Sequence, residues 1–103
     1  MVYDKPIKIQ KIDEATELWE DLYYLHANVN KSGGSEYLNA GANQSKANLV
    51  FEVRYFKALE DINYDRGSYR IIYRGRIFNI KDYDDYQEQH LTVKLLGVSV
   101  NGN

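Results

Sequence analysis

From residue 49 to residue 100 the chain is a series of short apolar blocks separated by tight, charged turns. The blocks are LVFEVRYF (49–56), YRIIYRGRIFNI (69–80, broken at Gly75) and HLTVKLLGVSV (90–100). Apolar residues alternating over stretches this short fit the period of a strand and are too brief for core helices. A chain that spends its apolar residues this way predicts a small β-sheet or barrel. No catalytic motif interrupts the blocks, which directs attention to surfaces and loops instead of a reactive pocket.

The pattern sets local expectations. Leu49, Phe51, Val53 and Tyr55 alternate with Val50, Glu52, Arg54 and Phe56. Both faces are largely apolar, which predicts a central strand. Residues 57–63 can make one helical turn. Asp65-Arg66-Gly67-Ser68 is a turn signal. Arg74-Gly75, between two strand runs, reads as a two-residue hairpin turn, with Phe78 and Ile80 facing the core beyond it. In the last block Leu91, Val93 and Leu95 share a face. Val98 and Val100 take over after Gly97, which is read as a bulge that changes the facing register.

The first half is less uniform. Ile7 and Ile9 alternate with Lys8 and Gln10, as in a half-buried strand, and Pro6 suits a strand start. Residues 13–31 support two readings. Leu18, Leu22, Leu25 and Val29 fall near helical spacing behind Asp13, Glu14 and Glu17, which suit a helix N-terminus. As a strand, Trp19, Tyr23, Leu25, Ala27 and Val29 share one face, with Asp21 out of place. The local pattern leans to the helix. Residues 32–46 (SGGSEYLNAGANQSK) read as a long polar loop, a length that is uncommon in compact domains and often functional.

A chain of 103 residues predicts one domain, with its core over about 6–100. It has no cysteine, which excludes disulfides and Cys-based zinc sites. Its first residues lack the apolar core of a signal peptide, and no run approaches a membrane span. The expectation is a soluble protein made in the cytosol. Ten tyrosines suit strands and half-wet contact surfaces. Net charge is −2, so no global field draws nucleic acid. Charge is nevertheless uneven. Residues 49–81 hold seven basic side chains against four acidic ones, and Asp82, Asp84, Asp85 and Glu88 follow with no base among them. Arg54, Arg70, Arg74 and Arg76 on one side, and Asp82, Asp84, Asp85 and Glu88 on the other, are the candidate inter-subunit or partner contacts.

Chemistry-bearing constellations are sparse. His26 and His90 sit in no paired metal pattern. The carboxylates of 82–88 lack the glycine and oxygen spacing of a calcium loop. Gly33-Gly34 opens no phosphate-binding helix, and no serine lies in a nucleophile elbow. No catalytic residue, cofactor or metal ligand is assigned.

Several elements in order resemble those of the head–tail joining (head-closure, head-completion or stopper) proteins of long-tailed bacteriophages. They are the first strand IKIQK, Trp19 ahead of Ala27-Asn28-Val29, Glu36-Tyr37-Leu38-Asn39-Ala40-Gly41, Phe51-Glu52-Val53-Arg54-Tyr55 and Tyr73 to Ile80, with a polar link to a last apolar strand. The chain differs in carrying an acidic link at 82–88 where the family often has arginines. The resemblance implies a mainly β fold: a small barrel of five to six strands, a long loop after the second strand, and at most short helical turns. It therefore implies a strand at 17–31. It also implies a structural virion protein, not an enzyme, from a phage or prophage. Such a protein assembles as a ring below the portal–adaptor proteins, closes the DNA exit channel and offers a docking surface to a tail-completion or tail-tube protein. It would be located in the host cytoplasm, then at the virion neck. The channel loop would comprise Lys31, Ser32, Gly33, Gly34, Glu36, Tyr37, Asn39, Asn43, Gln44, Ser45 and Lys46, whose small polar side chains and flanking lysines allow only transient, non-specific contact with packaged DNA. No membrane partner is implied.

Two other readings come from the residues alone. The basic and aromatic mix in VRYF and YRGRIF suits a single-stranded nucleic-acid-binding barrel of the OB type, acting through Arg54 and Tyr55. A small metal-dependent enzyme would use Asp82, Asp84 and Glu88.

Overall fold

The protein, seen in a computed structural model, is described over residues 3–31, 48–85 and 88–100. Six strands, β1 (Lys5–Asp13), β2 (Leu18–Lys31), β3 (Asn48–Arg54), β4 (Tyr69–Tyr73), β5 (Arg76–Asp84) and β6 (Thr92–Ser99), form a closed barrel in the order β1-β2-β3-β6-β5-β4. Every neighbouring pair is antiparallel, and the ring closes where β1 meets β4, Lys8 opposite Ile72 through Lys11 opposite Tyr69. The barrel expected from the sequence is therefore present, with β3 between two neighbours, as its apolar faces require.

Alternation along each strand fills the interior. Ile7, Ile9, Ala27, Phe51, Val53, Tyr69, Ile71, Phe78, Ile80, Val93 and Leu95 are buried, drawn from all six strands. Phe51 meets Phe78 and Tyr73 edge to face, at 5.3 and 5.6 Å between centroids, the geometry that ring quadrupoles favour. Between β3 and β4 a 3-10 turn (Lys57–Leu59) runs into a short helix, α1 (Glu60–Tyr64). Leu59 and Ile62, three residues apart on one face, are fully buried in the same core. They plug one end of the barrel, each contributing about 1.5–3 kcal/mol by burial. The helical turn and the 3-10 turn at Arg66–Ser68 both fall where the sequence pointed.

The helical leaning for 13–31 is overturned. Leu18 and Leu22, which a helix would have buried, are 64% and 41% exposed. Extended β2 instead places Tyr23, Leu25, Ala27 and Val29 inward. One detail of the strand reading also changes. Pairing with β1 steps from Ile9 opposite Tyr23 to Gln10 opposite Asp21, so Leu22 is an extra residue. Such a bulge reverses the facing of what precedes it. Asp21 no longer violates the pattern, and Trp19 moves to the outer wall.

The hairpin at Arg74-Gly75 is as expected. Both residues are left-handed, with φ of 52 and 76°, the pairing that matches strand twist in a two-residue turn. Gly97 is not a bulge. Val93, Leu95, Gly97 and Ser99 continue one buried face without a switch. The extra residue lies across the ladder, at Lys81 of β5, between Ile80 opposite Gly97 and Asp82 opposite Leu96. Gly97 is small because the core leaves no room. A Cβ there would lie 2.8 Å from Cε2 of Phe51 and 3.1 Å from Cβ of Phe78. Gly97→Ala is expected to cost about 1–3 kcal/mol by overpacking. Urea unfolding should show a lower midpoint with an unchanged slope.

Candidate functional site

Because all strands run antiparallel, the barrel has two distinct ends. The turn joining β1 to β2, the segment 55–68 and the link 85–91 share one end. The other end carries the start of β1, the end of β2, the start of β3, the Arg74-Gly75 turn and the end of β6.

Charge divides between these ends. The Arg74 end gathers Lys5, Lys31, Arg74 and Arg76 around the strand termini, with Asp4 beside Lys5 at 3.4 Å. The guanidinium of Arg74 lies 5.3 Å from the Tyr73 ring centroid, a cation–π contact that orients it along the hairpin. At the other end, carboxylates from Asp13, Glu14 and Glu17, from Glu60, Asp61 and Asp65, and from Asp84, Asp85 and Glu88 outnumber Lys11, Arg54, Lys57, Arg66 and Lys94. The residues singled out from the sequence therefore split. Arg74 and Arg76 lie at the same end as Lys31, and Asp84, Asp85 and Glu88 lie at the opposite end. Asp82 is exposed on β5 beside its bulge. Ser32, Gly33, Gly34, Glu36, Tyr37, Asn39, Asn43, Gln44, Ser45 and Lys46 lie outside the described residues.

At the acidic end one carboxylate shapes the backbone. Asp85 accepts from the His90 backbone N–H at 2.9 Å and pairs with His90 Nδ1, while its own carbonyl accepts from the Glu88 N–H at 2.7 Å. These contacts hold Glu88 and His90 in the left-handed region, φ 55 and 59°. The His90 ring stacks on Tyr55 at 4.4 Å, and the Tyr55 N–H donates to the Leu91 carbonyl at 3.0 Å. Asp85 is thus already engaged inside the subunit, whereas Asp84 and Glu88 are exposed. A basin of about 360 Å³ beside them is lined by Glu60, Tyr64, Tyr83, Asp84, Glu88 and His90 among others. Among the described residues no cluster of acids or histidines could hold a metal ion.

Arg70 belongs to neither end. On the outer wall its Nε donates to Gln10 Oε1 at 2.8 Å, and its guanidinium lies 4.3 Å from the Trp19 ring. Gln10 Nε2 donates to Asp21 Oδ1 at 2.8 Å, and Asp21 also receives the Tyr24 hydroxyl at 2.9 Å and Lys8 Nζ at 3.3 Å. The Gln10 and Tyr24 hydrogen bonds, with Lys8, hold the Asp21 carboxyl below the usual value. Partial burial lowers the Arg70 value. Arg70 is therefore a structural strut across β4, β1 and β2. Sequence pattern missed this wall, because the Leu22 bulge that brings Trp19 to it has no local signature.

Two tyrosines give the acidic end a titration signature. The Tyr55 hydroxyl donates to the Glu60 carboxylate, which pushes its pKa up to about 12. Burial does the same for Tyr83, to about 12, and its buried hydroxyl has no hydrogen-bond partner among the described residues. Raised values mean that the neutral forms are favoured in the fold. Their contribution to stability is complete below the ordinary value near 10 and is lost as pH climbs through about 12. In an alkaline absorbance titration Tyr55 and Tyr83 should ionise late, and Tyr55 should return towards 10 in Glu60→Gln.

Comparison with known proteins follows this geometry. Residues 5–97 match the family described as phage head completion protein. The solution structure of a Shigella flexneri 2a protein superposes with a TM-score of 0.66 at 24% identity, covering 98% of this chain and 96% of that one. That likeness bears on the fold alone. No curated protein matches the chain.

Proposed function

The chain belongs to the phage head completion protein family, whose role is in virion assembly, and from that premise we propose that it is a connector of the virion neck. In this reading it binds below the portal–adaptor ring, self-associates there, closes the DNA exit channel and gives the tail its docking surface. It acts by shape and contact, without breaking bonds. Partner proteins would be the adaptor above and a tail-completion or tail-tube protein below.

The observation that carries this reading is the separation of charge between the two barrel ends. A ring of such subunits has chemically different faces, so it can meet two different partners in a fixed polarity. Lys31 and Asn48, the strand ends on either side of 32–47, both stand at the basic end. We assign the channel to that end, with Lys31, Arg74 and Arg76 supplying weak, sequence-independent attraction to packaged DNA. Asp84 and Glu88, at the far end, face the second partner. Asp85 is less suited to partner contact than its charge suggests, since His90 engages it, and Arg70 stays in the wall.

The test is charge reversal with a fold control. Arg74→Asn places the residue most favoured at that turn position, so thermal stability is expected to hold or rise. Arg74→Glu with Arg76→Glu should leave the circular dichroism spectrum unchanged. Particles assembled with it should retain packaged DNA poorly and accept few tails, scored by electron microscopy and nuclease sensitivity. Wild-type levels of DNA retention and tailing with the double reversal would overturn the assignment of the basic end.

A further inference from the structure

Strand β2 has a neighbour on each edge, but each covers a different part of its length. Its register with β1 runs from Leu18 opposite Asp13 to Ala27 opposite Lys5. Its register with β3 covers only Asn28 to Lys31, opposite Glu52 to Leu49. Along 18–26 no strand lies against the second edge of β2 among the described residues. Alternate N–H and C=O groups of that edge therefore have no ladder partner. Long open edges are normally shortened, charged or covered. Here Leu18, Leu22 and Tyr24 stand exposed along it, at 64%, 41% and 71%.

The reason for the open edge is visible at the end of β3. Beyond Glu52 the pairing with β2 stops while the chain keeps to β6: the Tyr55 N–H donates to the Leu91 carbonyl just ahead of β6, and the Phe56 side chain reaches back edge-on to Tyr23 at 5.0 Å. Between this stretch and β2 lies a groove of about 580 Å³, lined by Tyr3, Tyr24, His26, Arg54, Tyr55 and Phe56 among others. It lies where β3 would have continued. Arg54 sits at its mouth over the Tyr3 ring, 5.0 Å from the centroid, and pairs with no carboxylate among the described residues. At the other end of the edge, Glu14 and Glu20 are exposed carboxylates.

We propose that the open edge of β2 at 18–26, with the groove beside Arg54, receives an extended segment of a partner protein as an added antiparallel strand. The segment continues the direction of β3. It carries a carboxylate near its N-terminal end, where it passes Arg54 and His26, and a base near its C-terminal end, where it passes Glu20. Main-chain hydrogen bonds supply affinity, and alternate side chains meeting Leu22, Tyr24 and Phe56 supply selectivity. The rival occupant is a single nucleic-acid strand stacking on Tyr24, Tyr55 and His26. The exposed Glu14 and Glu20 oppose a phosphate backbone, and bases cannot satisfy a strand's amides. This proposal names a mode of recognition and does not depend on the connector reading.

The probe is an eight-residue peptide with aspartate first, lysine last and threonine alternating with valine between, titrated into the full chain and followed by amide NMR. Binding should slow hydrogen exchange of alternate amides within 18–26 and shift Arg54. Placing lysine first and aspartate last should weaken binding roughly ten-fold, the order expected for one charge-assisted contact. Arg54→Glu should reverse that preference. Any one of four results overturns the proposal: no binding, equal binding by a peptide with proline for valine, protection of 18–26 without peptide through self-association, or displacement of the peptide by oligothymidylate.

Discussion

The pairing of β1 with β4 governs the rest of this structure. Lys8 to Lys11 lying opposite Ile72 to Tyr69 turns an open six-stranded sheet into a tube. Closure gives each strand one inward row and removes most sheet edges. It also concentrates the apolar residues of a short chain around one axis, where Phe51, Phe78, Ile9 and Ile71 can all be fully buried. Leu59 and Ile62 then join the same buried core from the segment between β3 and β4, so the interior of the described barrel is filled by its own side chains. A closed and filled tube has only its rims, its wall and any unpaired strand length with which to meet other molecules. That constraint is why the rims, the wall and the unpaired strand length are the surfaces from which a contact function is argued.

Much of this tube was legible in the sequence, for a simple reason. Where neighbours lie close in the chain, local signals suffice. Arg74-Gly75 needed only the φ > 0 preference of its turn, and Ile7, Ile9, Phe78 and Ile80 needed only period two. What was not legible depends on register between distant segments. The Leu22 bulge arises from how β1 counts against β2, so the sequence pattern put Trp19 on the wrong face. The local pattern at 13–31 leaned to a helix because Leu18 and Leu22 mimic helical spacing; their exposure shows that the coincidence carried no burial. Gly97 looked like a break because it lacks a side chain, but the missing atom is room for Phe51.

The candidate surfaces show the same division. The excess of bases over 49–81 and of acids over 82–88 was visible in the linear sequence. That Arg74 and Arg76 would fall at the end opposite Asp84, Asp85 and Glu88 was not, since this depends on alternating strand direction. Arg70 illustrates the cost of reading charge alone. Counted with the basic set, it turns out to be tied to Gln10 and Trp19, holding three strands together. Arg74, by contrast, sits at a hairpin tip, exposed and in contact with the ring of its own neighbour Tyr73.

The unequal lengths of β2 and β3 connect these observations. A fourteen-residue strand beside a seven-residue one cannot be matched along its whole edge, and the barrel resolves the mismatch by leaving one edge open, not by shortening β2. Keeping the overhang preserves the β1 pairing that positions Asp13, Glu14 and Glu17 at the acidic rim. It also preserves the wall network that Trp19, Asp21 and Tyr24 build with Arg70. The exposed backbone at 18–26 is therefore a consequence of the same strand that carries the rim. Any partner that paired with this edge would be held in a fixed angle to both charged ends, because a ladder of hydrogen bonds sets register and direction together.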